Sequence, residues 1–265
     1  MNIYMHELKA NIKNTVLWIC VLCGLAVIIM LFYPTIKSDI DNFMKILNNF
    51  PPAMKAIFGM VSENFSSAIG YYNFVFTYTT LFGAIQAMNL GIGILSKEER
   101  ERTADFLMTK PISRVKILTA KILSVLTIFC ITDLIYFAIT YSLVNGMSEQ
   151  SFEADKFVLI NASLFLLQLI FFSIGLIISV AAKKIKSVLP ISLGLVFMFF
   201  AISAFAVTSE DDKLRFLTPF QYFKTNYILT EGNYESLYLI AGLLIIIVCV
   251  IFSYILYKHK NIHAV

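Results

Sequence analysis

The chain has 265 residues, of which 58% are hydrophobic and only 14% charged, and its mean hydropathy is +0.78. Soluble domains carry about 25% charged residues, so a soluble fold is excluded and the chain reads as an integral membrane protein. Its net charge of +4 suits anionic lipid headgroups and calls for no nucleic acid as a partner.

Residues 1–14 place Tyr4, Leu8 and Ile12 at four-residue spacing, with Glu7, Lys9, Asn11 and Lys13 between them. That pattern predicts a short amphipathic helix lying in the membrane interface. Six apolar runs follow, each long enough to cross ~30 Å of hydrocarbon at about 20 residues: Val16 to Tyr33, Tyr71 to Leu95, Ile117 to Val144, Phe157 to Ala182, Val188 to Val207, and Leu237 to Tyr257. The first reads as a retained span and not as a cleavable signal, because its apolar core is longer than a signal's and Phe32-Tyr33-Pro34 stands where small residues would be expected. The fold class expected is all-α, a polytopic protein of six spans in one domain covering 1–265. The second and third runs exceed the length of a crossing, so both project from the bilayer or tilt.

Between the first two spans, Lys37 to Ile69 reads as a loop with breaks at Pro51-Pro52 and Gly59, and a short helix around Pro52 to Phe58. Placing both termini in the cytoplasm puts 14 of the 21 basic residues on that side. The positive-inside tendency favours this orientation, with a bacterial plasma membrane as the expected setting. All four cysteines lie in apolar runs, where Cys20-x-x-Cys23 has no histidine or acid beside it and reads as small hydrophobic filling.

The stretch from Ser96 to Lys116 is a dense block of charge between the second and third spans. Ser96 with Glu99 three residues later forms a capping box, predicting a new helix from Lys97 that Pro111 ends. Glu98 and Arg102 are placed to pair along its surface. Leu95, Thr103, Phe106 and Leu107 fall on one apolar stripe, and Ser113 caps the helix that follows.

Acidic residues followed by Thr103-x-x-Phe106-Leu107, then Pro111-x-Ser113-Arg114, resemble the cytoplasmic coupling helix of ABC exporter permeases of the type-2 family. A second segment, 208–236, reads as an outer stretch before the last span, and its Thr218-Pro219-Phe220-x-Tyr222-Phe223 is similar to one in the same family. The resemblance implies that residues 96–111 are the coupling helix, with Glu98, Glu99, Arg102, Thr103, Phe106, Leu107, Pro111, Ser113 and Arg114 meeting an ATPase. Arg102 stands where the family commonly has Gly. It also implies that 1–14 is an elbow helix on the cytoplasmic leaflet, and that the partners are an ABC ATP-binding subunit and a second permease chain. ATP and Mg would then be bound by the ATPase and no cofactor by this chain.

Candidate chemistry within the spans is sparse. Asp133 is an acid deep in an apolar run, where an ionised group is costly and is by default a functional hypothesis. It either lines a substrate path, accepts a proton, or is held by Thr132, Thr140 or a tyrosine. Asn73, Thr77, Thr80, Gln86 and Asn89 in the second span, with Gln168 and Ser173 in the fourth, serve either helix packing or a central path. The sequence has no G-x-x-x-x-G-K-[ST] phosphate loop. Ala10 replaces the second histidine of a zinc pair beginning at His6-Glu7, and His259 with His263 reads as a solvated tail. The expectation is the transmembrane subunit of an ATP-driven exporter, not itself an enzyme. Its rivals are an ion-coupled carrier or intramembrane enzyme using Asp133, and a membrane immunity protein.

Overall fold

In hydrocarbon every backbone N–H and C=O must be paired within its own segment, which leaves an isolated apolar run one conformation, the helix. The computed structural model, which describes residues 3–60, 65–100, 113–148, 153–182, 185–209 and 212–259, follows that rule. Among the described residues there are helices and no strands. Six are long and apolar enough to span a membrane: α1 (Ile3–Met30), α5 (Ala68–Arg100), α6 (Arg114–Met147), α7 (Ala154–Ala181), α8 (Val188–Ser209) and α11 (Ser236–His259). Short helices lie between them: α2 (Tyr33–Ser38), α3 (Ile40–Asn48) and α4 (Pro52–Ile57) after α1, then α9 (Asp212–Arg215) and α10 (Thr225–Glu231) before α11. The two longest are α5 with 33 residues and α6 with 34. At 1.5 Å rise each reaches about 50 Å, beyond the ~30 Å of hydrocarbon, as their sequence lengths predict.

The inner pair is α5 and α7, with 78% and 61% of their most apolar stretch buried, whereas α11 is 11% buried and presents Ile240, Leu244, Ile247 and Ile251 outward. Their backbones meet at Gly91 and Gly175. A Cβ on Gly91 would stand 2.5 Å from the Phe172 carbonyl oxygen and 3.0 Å from the Gly175 Cα, so only glycine permits this approach. Small residues at the crossing bring helices together where no hydrophobic effect drives them. The core then runs along α5, α6 and α7, with α1 packed on α6 and α11 on α7.

The segment before α11 is tied down by its polar side chains. Arg215 donates to Glu235 Oε1 at 2.7 Å and to the Gln221 carbonyl at 3.3 Å, and its guanidinium lies 3.9 Å from the Tyr238 ring centroid. Thr218 donates to the Phe199 carbonyl at 2.8 Å, and Tyr234 to the Leu159 carbonyl at 2.6 Å. The stretch before α11 is thereby bonded to α7 and α8.

Two sequence expectations are corrected. Residues 3–14 form the first turns of α1 itself, since no Gly or Pro interrupts the chain before Gly24 and the helical ladder has no reason to break. Leu8 packs on the core, and Tyr4 bonds Thr127 of α6 at 2.9 Å between hydroxyls. Ser96 starts no helix, because α5 continues through it to Arg100. Its buried hydroxyl donates back to the Ile92 carbonyl at 2.7 Å, a bond to the preceding turn that competes with the capping role.

Candidate functional site

Two polar regions stand out within the helical bundle. The first lies between α5, α6 and α7. The Tyr72 hydroxyl donates to Asn161 Oδ1 at 2.8 Å, and the hydroxyls of Tyr136 and Thr79 are 2.9 Å apart. Tyr72 and Tyr136 approach each other at 3.3 Å, and Asn161 returns its N–H to the Phe157 carbonyl at 2.9 Å. This chain is closed, with each buried group given a partner.

One turn before Tyr136 on α6, the situation reverses. Both carboxylate oxygens of Asp133 are buried without a hydrogen bond, and so are both side-chain polar atoms of Gln86 and Gln168 and the hydroxyl of Thr132. Gln168 faces Asp133 at a geometry short of a hydrogen bond. It fits between the helices because Gly83 has no side chain: a Cβ there would be 3.4 Å from Gln168 Nε2 and 2.7 Å from Leu164 Cδ1. Buried, unpaired polar groups cost about 1–3 kcal/mol each. Of the sequence-predicted path residues, Asp133 and Gln168 are therefore brought together. Asn73 is buried on α5 with its Oδ1 unpaired, and Thr77 donates to the Asn73 backbone carbonyl at 3.3 Å while its side chain covers Gly59. Asn89 belongs to the second region.

That second region gathers the first turns of α1, the end of α5 and the start of α6. Lys121 is 1% exposed, and its ammonium donates to Glu7 Oε1 at 2.8 Å and to the Ile94 carbonyl at 2.9 Å. One side chain thus ties three helices. A cavity of about 410 Å³ adjoins the pair, lined by residues that include Glu7, Asn11, Asn14, Asn89, Ser124 and Ser187. Nearby, Ser113 caps α6 as expected, accepting from the Lys116 N–H at 3.4 Å. Arg114 donates to the carbonyls of Tyr257 and Lys258 at 3.2 and 3.4 Å. A cation on the final carbonyls of α11 complements the negative end of that helix.

Glu98 and Glu99 lie in the last turn of α5. Arg102, Thr103, Phe106, Leu107 and Pro111 lie outside the described residues, as does His263, so the contact stripe of the charged segment has no geometry here. No group of three or more metal-binding side chains occurs among the described residues. Sequence reasoning passed over Tyr72, Tyr136 and Asn161 as site residues, along with the Glu7–Lys121 pair. A lysine inside the third apolar run was a signal, but its partner lies 114 residues away.

A search of curated proteins returns no match to the chain. The family model described as ABC-2 family transporter protein matches residues 1–262, nearly the whole length and all six spans. The chain belongs to the ABC-2 family of transporter permeases.

Proposed function

We propose that this permease is the transmembrane half of an ATP-driven exporter, worked by a separate ATP-binding subunit that meets residues 96–111. Two permease chains and two ATPases make the assembly, with both termini in the cytoplasm. This chain's role is mechanical. The sequence has no phosphate loop of its own, so ATP and Mg belong to the partner.

The observation that carries the reading is where the charged segment is anchored. It joins the end of α5 to the start of α6, and just inside those ends Lys121 links α6 to α1 and α5 while Arg114 links α6 to α11. A displacement applied between Arg100 and Ser113 is therefore delivered to four spanning helices at once. Closure of the ATPases, pulling on that segment, would shift the bundle between two arrangements by favouring one of them. The unpaired groups at Asp133, Gln86 and Gln168 lie on the candidate path.

The test is to truncate the apolar stripe of the segment. Interface anchors commonly cost ~2 kcal/mol or more each, so Phe106→Ala with Leu107→Ala should weaken ATPase co-purification at least ~30-fold or uncouple hydrolysis from export. Expression should be unchanged. Normal association, hydrolysis and export in that variant would overturn the coupling role.

A further inference from the structure

Asp133 and Gln168 face each other from α6 and α7 with all four of their side-chain polar atoms buried and unpaired. The level they share is flanked on both sides. One turn toward the start of α6, the buried rings of Phe129 and Phe172 meet edge to face at 5.9 Å between centroids. One turn the other way, Tyr136 joins Thr79, Tyr72 and Asn161 in the hydroxyl network. Among the described residues no charge reaches this level to offset a carboxylate. The titratable groups around it are Cys130 and Tyr136 on α6, Tyr72 on α5, and Cys23 on α1, which is near enough to act on Tyr136. Thiols and phenols are neutral at pH 7, and α7 contributes the amides of Gln168 and Asn161. α11 meets α6 only nearer its start, where Tyr254 bonds Thr119 at 2.7 Å. The nearest lysine on α6, Lys121, lies about 18 Å along the helix and is bonded to Glu7 and Ile94.

We propose that Asp133 is a proton-binding site, held in this packing as the neutral carboxylic acid and paired with the Gln168 amide. An ionised carboxylate only accepts hydrogen bonds, so Gln168 could offer it an N–H while its own Oε1 stayed turned toward an anion. The neutral acid has one donor and one acceptor, and so does the facing edge of a primary amide. A small rotation then gives the Asp133 O–H to Gln168 Oε1 and the Gln168 Nε2–H to the other Asp133 oxygen, which provides a partner for all four atoms. A metal ion would take oxygens alone and leave the buried Nε2 donors unpaired. An unpaired charge in apolar surroundings costs far more than a neutral group and is relieved by taking up a proton, and a carboxyl kept neutral in this way serves as a hydrogen-bond donor. The proton comes from water and returns to it, and only the O–H bond forms or breaks. Its loss leaves a charge that this level cannot pair, which favours the other arrangement of the bundle. That last step rests on the permease reading, whereas the proton site does not.

Infrared spectroscopy of the full-length chain tests this, in dodecyl maltoside micelles that carry no ester carbonyl. The C=O stretch of a protonated carboxyl group is distinct from the bands of carboxylates. An aspartate in water, titrating near ~3.9, is protonated in only about one copy in a thousand at pH 7. A band at pH 7 with the intensity of one carboxyl per chain is therefore expected from Asp133. Asp133→Asn should abolish it. Gln168→Leu, which removes the acceptor and the donor together, should displace it to higher frequency, and this shift carries the assignment if the Asn variant does not fold. The site is overturned if the band is absent at pH 7 or if either substitution leaves it unchanged. It is overturned equally if the band vanishes when potassium in the buffer is replaced by sodium, the mark of a metal ion in place of the proton. A band in a chain that co-purifies with no ATPase would keep this site and lose the export reading, whereas ATP-driven export without the band would do the reverse.

Discussion

The Glu7–Lys121 pair makes an asymmetric prediction. Removing one partner of a buried ion pair costs about 3–5 kcal/mol, whereas replacing both with groups of similar shape is often close to neutral. The two ends of this pair are unequally placed, with Lys121 1% exposed and Glu7 15% exposed at the cavity. Glu7→Gln takes the carboxylate away from a buried ammonium that keeps its bond to the Ile94 carbonyl, and should cost about 3 kcal/mol, the lower end of that range and roughly 150-fold in the ratio of folded to unfolded protein. Lys121→Met leaves a carboxylate that water can reach, so about 1–2 kcal/mol is expected. The double variant should fall near the Lys121→Met value, giving a coupling energy of about 3 kcal/mol that distant, independent sites would not show. Equilibrium unfolding in mixed micelles, read by Trp18 fluorescence, measures all four proteins. Additive single effects, or a Lys121→Met variant less stable than Glu7→Gln, would refute the claim that one buried ammonium joins these helices.

The same unfolding assay reads the helix crossing: Gly91→Ala pushes a Cβ to 2.5 Å from the Phe172 carbonyl and should cost about 3 kcal/mol by forcing α5 from α7. Gly24→Ala, where nothing lies within 4 Å, should instead stabilise by up to ~1 kcal/mol through helix propensity. Asp133→Asn keeps a polar side chain of the same shape, so folding and ATPase association should persist while export falls at least ~10-fold; full export would make Asp133 a packing residue. Burial pushes the Tyr234 hydroxyl from its usual 10 up to about 12. Its folded value is thus the higher, so its contribution is fully present below pH 10 and is lost as pH rises toward 12. Tyr234 is only partly buried, so screening reduces that loss to about 1 kcal/mol, and Tyr234→Phe should flatten the alkaline decline of stability by that amount.

The spans were legible because an apolar run in lipid has one option, and apart from the start of α1, which lies at Ile3 and not near Val16, their ends fell within about five residues of those expected. The cap at Ser113 was legible too, because its partner lies three residues away. Ser96 carried the same local signal and misled, since nothing in its neighbourhood says whether a serine hydroxyl bonds forward to an N–H or back to a carbonyl. The periodic Ile40, Phe43, Met44 and Leu47 of α3 were a readable signal masked by Lys37, Asp39 and Asp41 around them. The bonds from Lys121 to Glu7 and from Arg114 to the end of α11 were hidden, because each joins residues more than a hundred positions apart.

Tyrosine hid the rest. In composition it counts as hydrophobic, so Tyr72 and Tyr136 blended into their apolar runs, yet their hydroxyls close the network that satisfies Asn161 and Thr79. That network, with Tyr234 on Leu159 and Arg215 on Glu235, fixes α5, α6, α7 and the segment before α11 relative to one another. The level of Asp133, Gln86 and Gln168 has no such closure. Each unpaired group raises the energy of this arrangement by about 1–3 kcal/mol, which narrows the gap to any arrangement that pairs it. A transporter that alternates needs two packings of similar energy. On the proposed reading, the polar side chains near Asp133 keep the alternative arrangement within reach, while the hydroxyl network one turn away keeps the same helices from coming apart as they move.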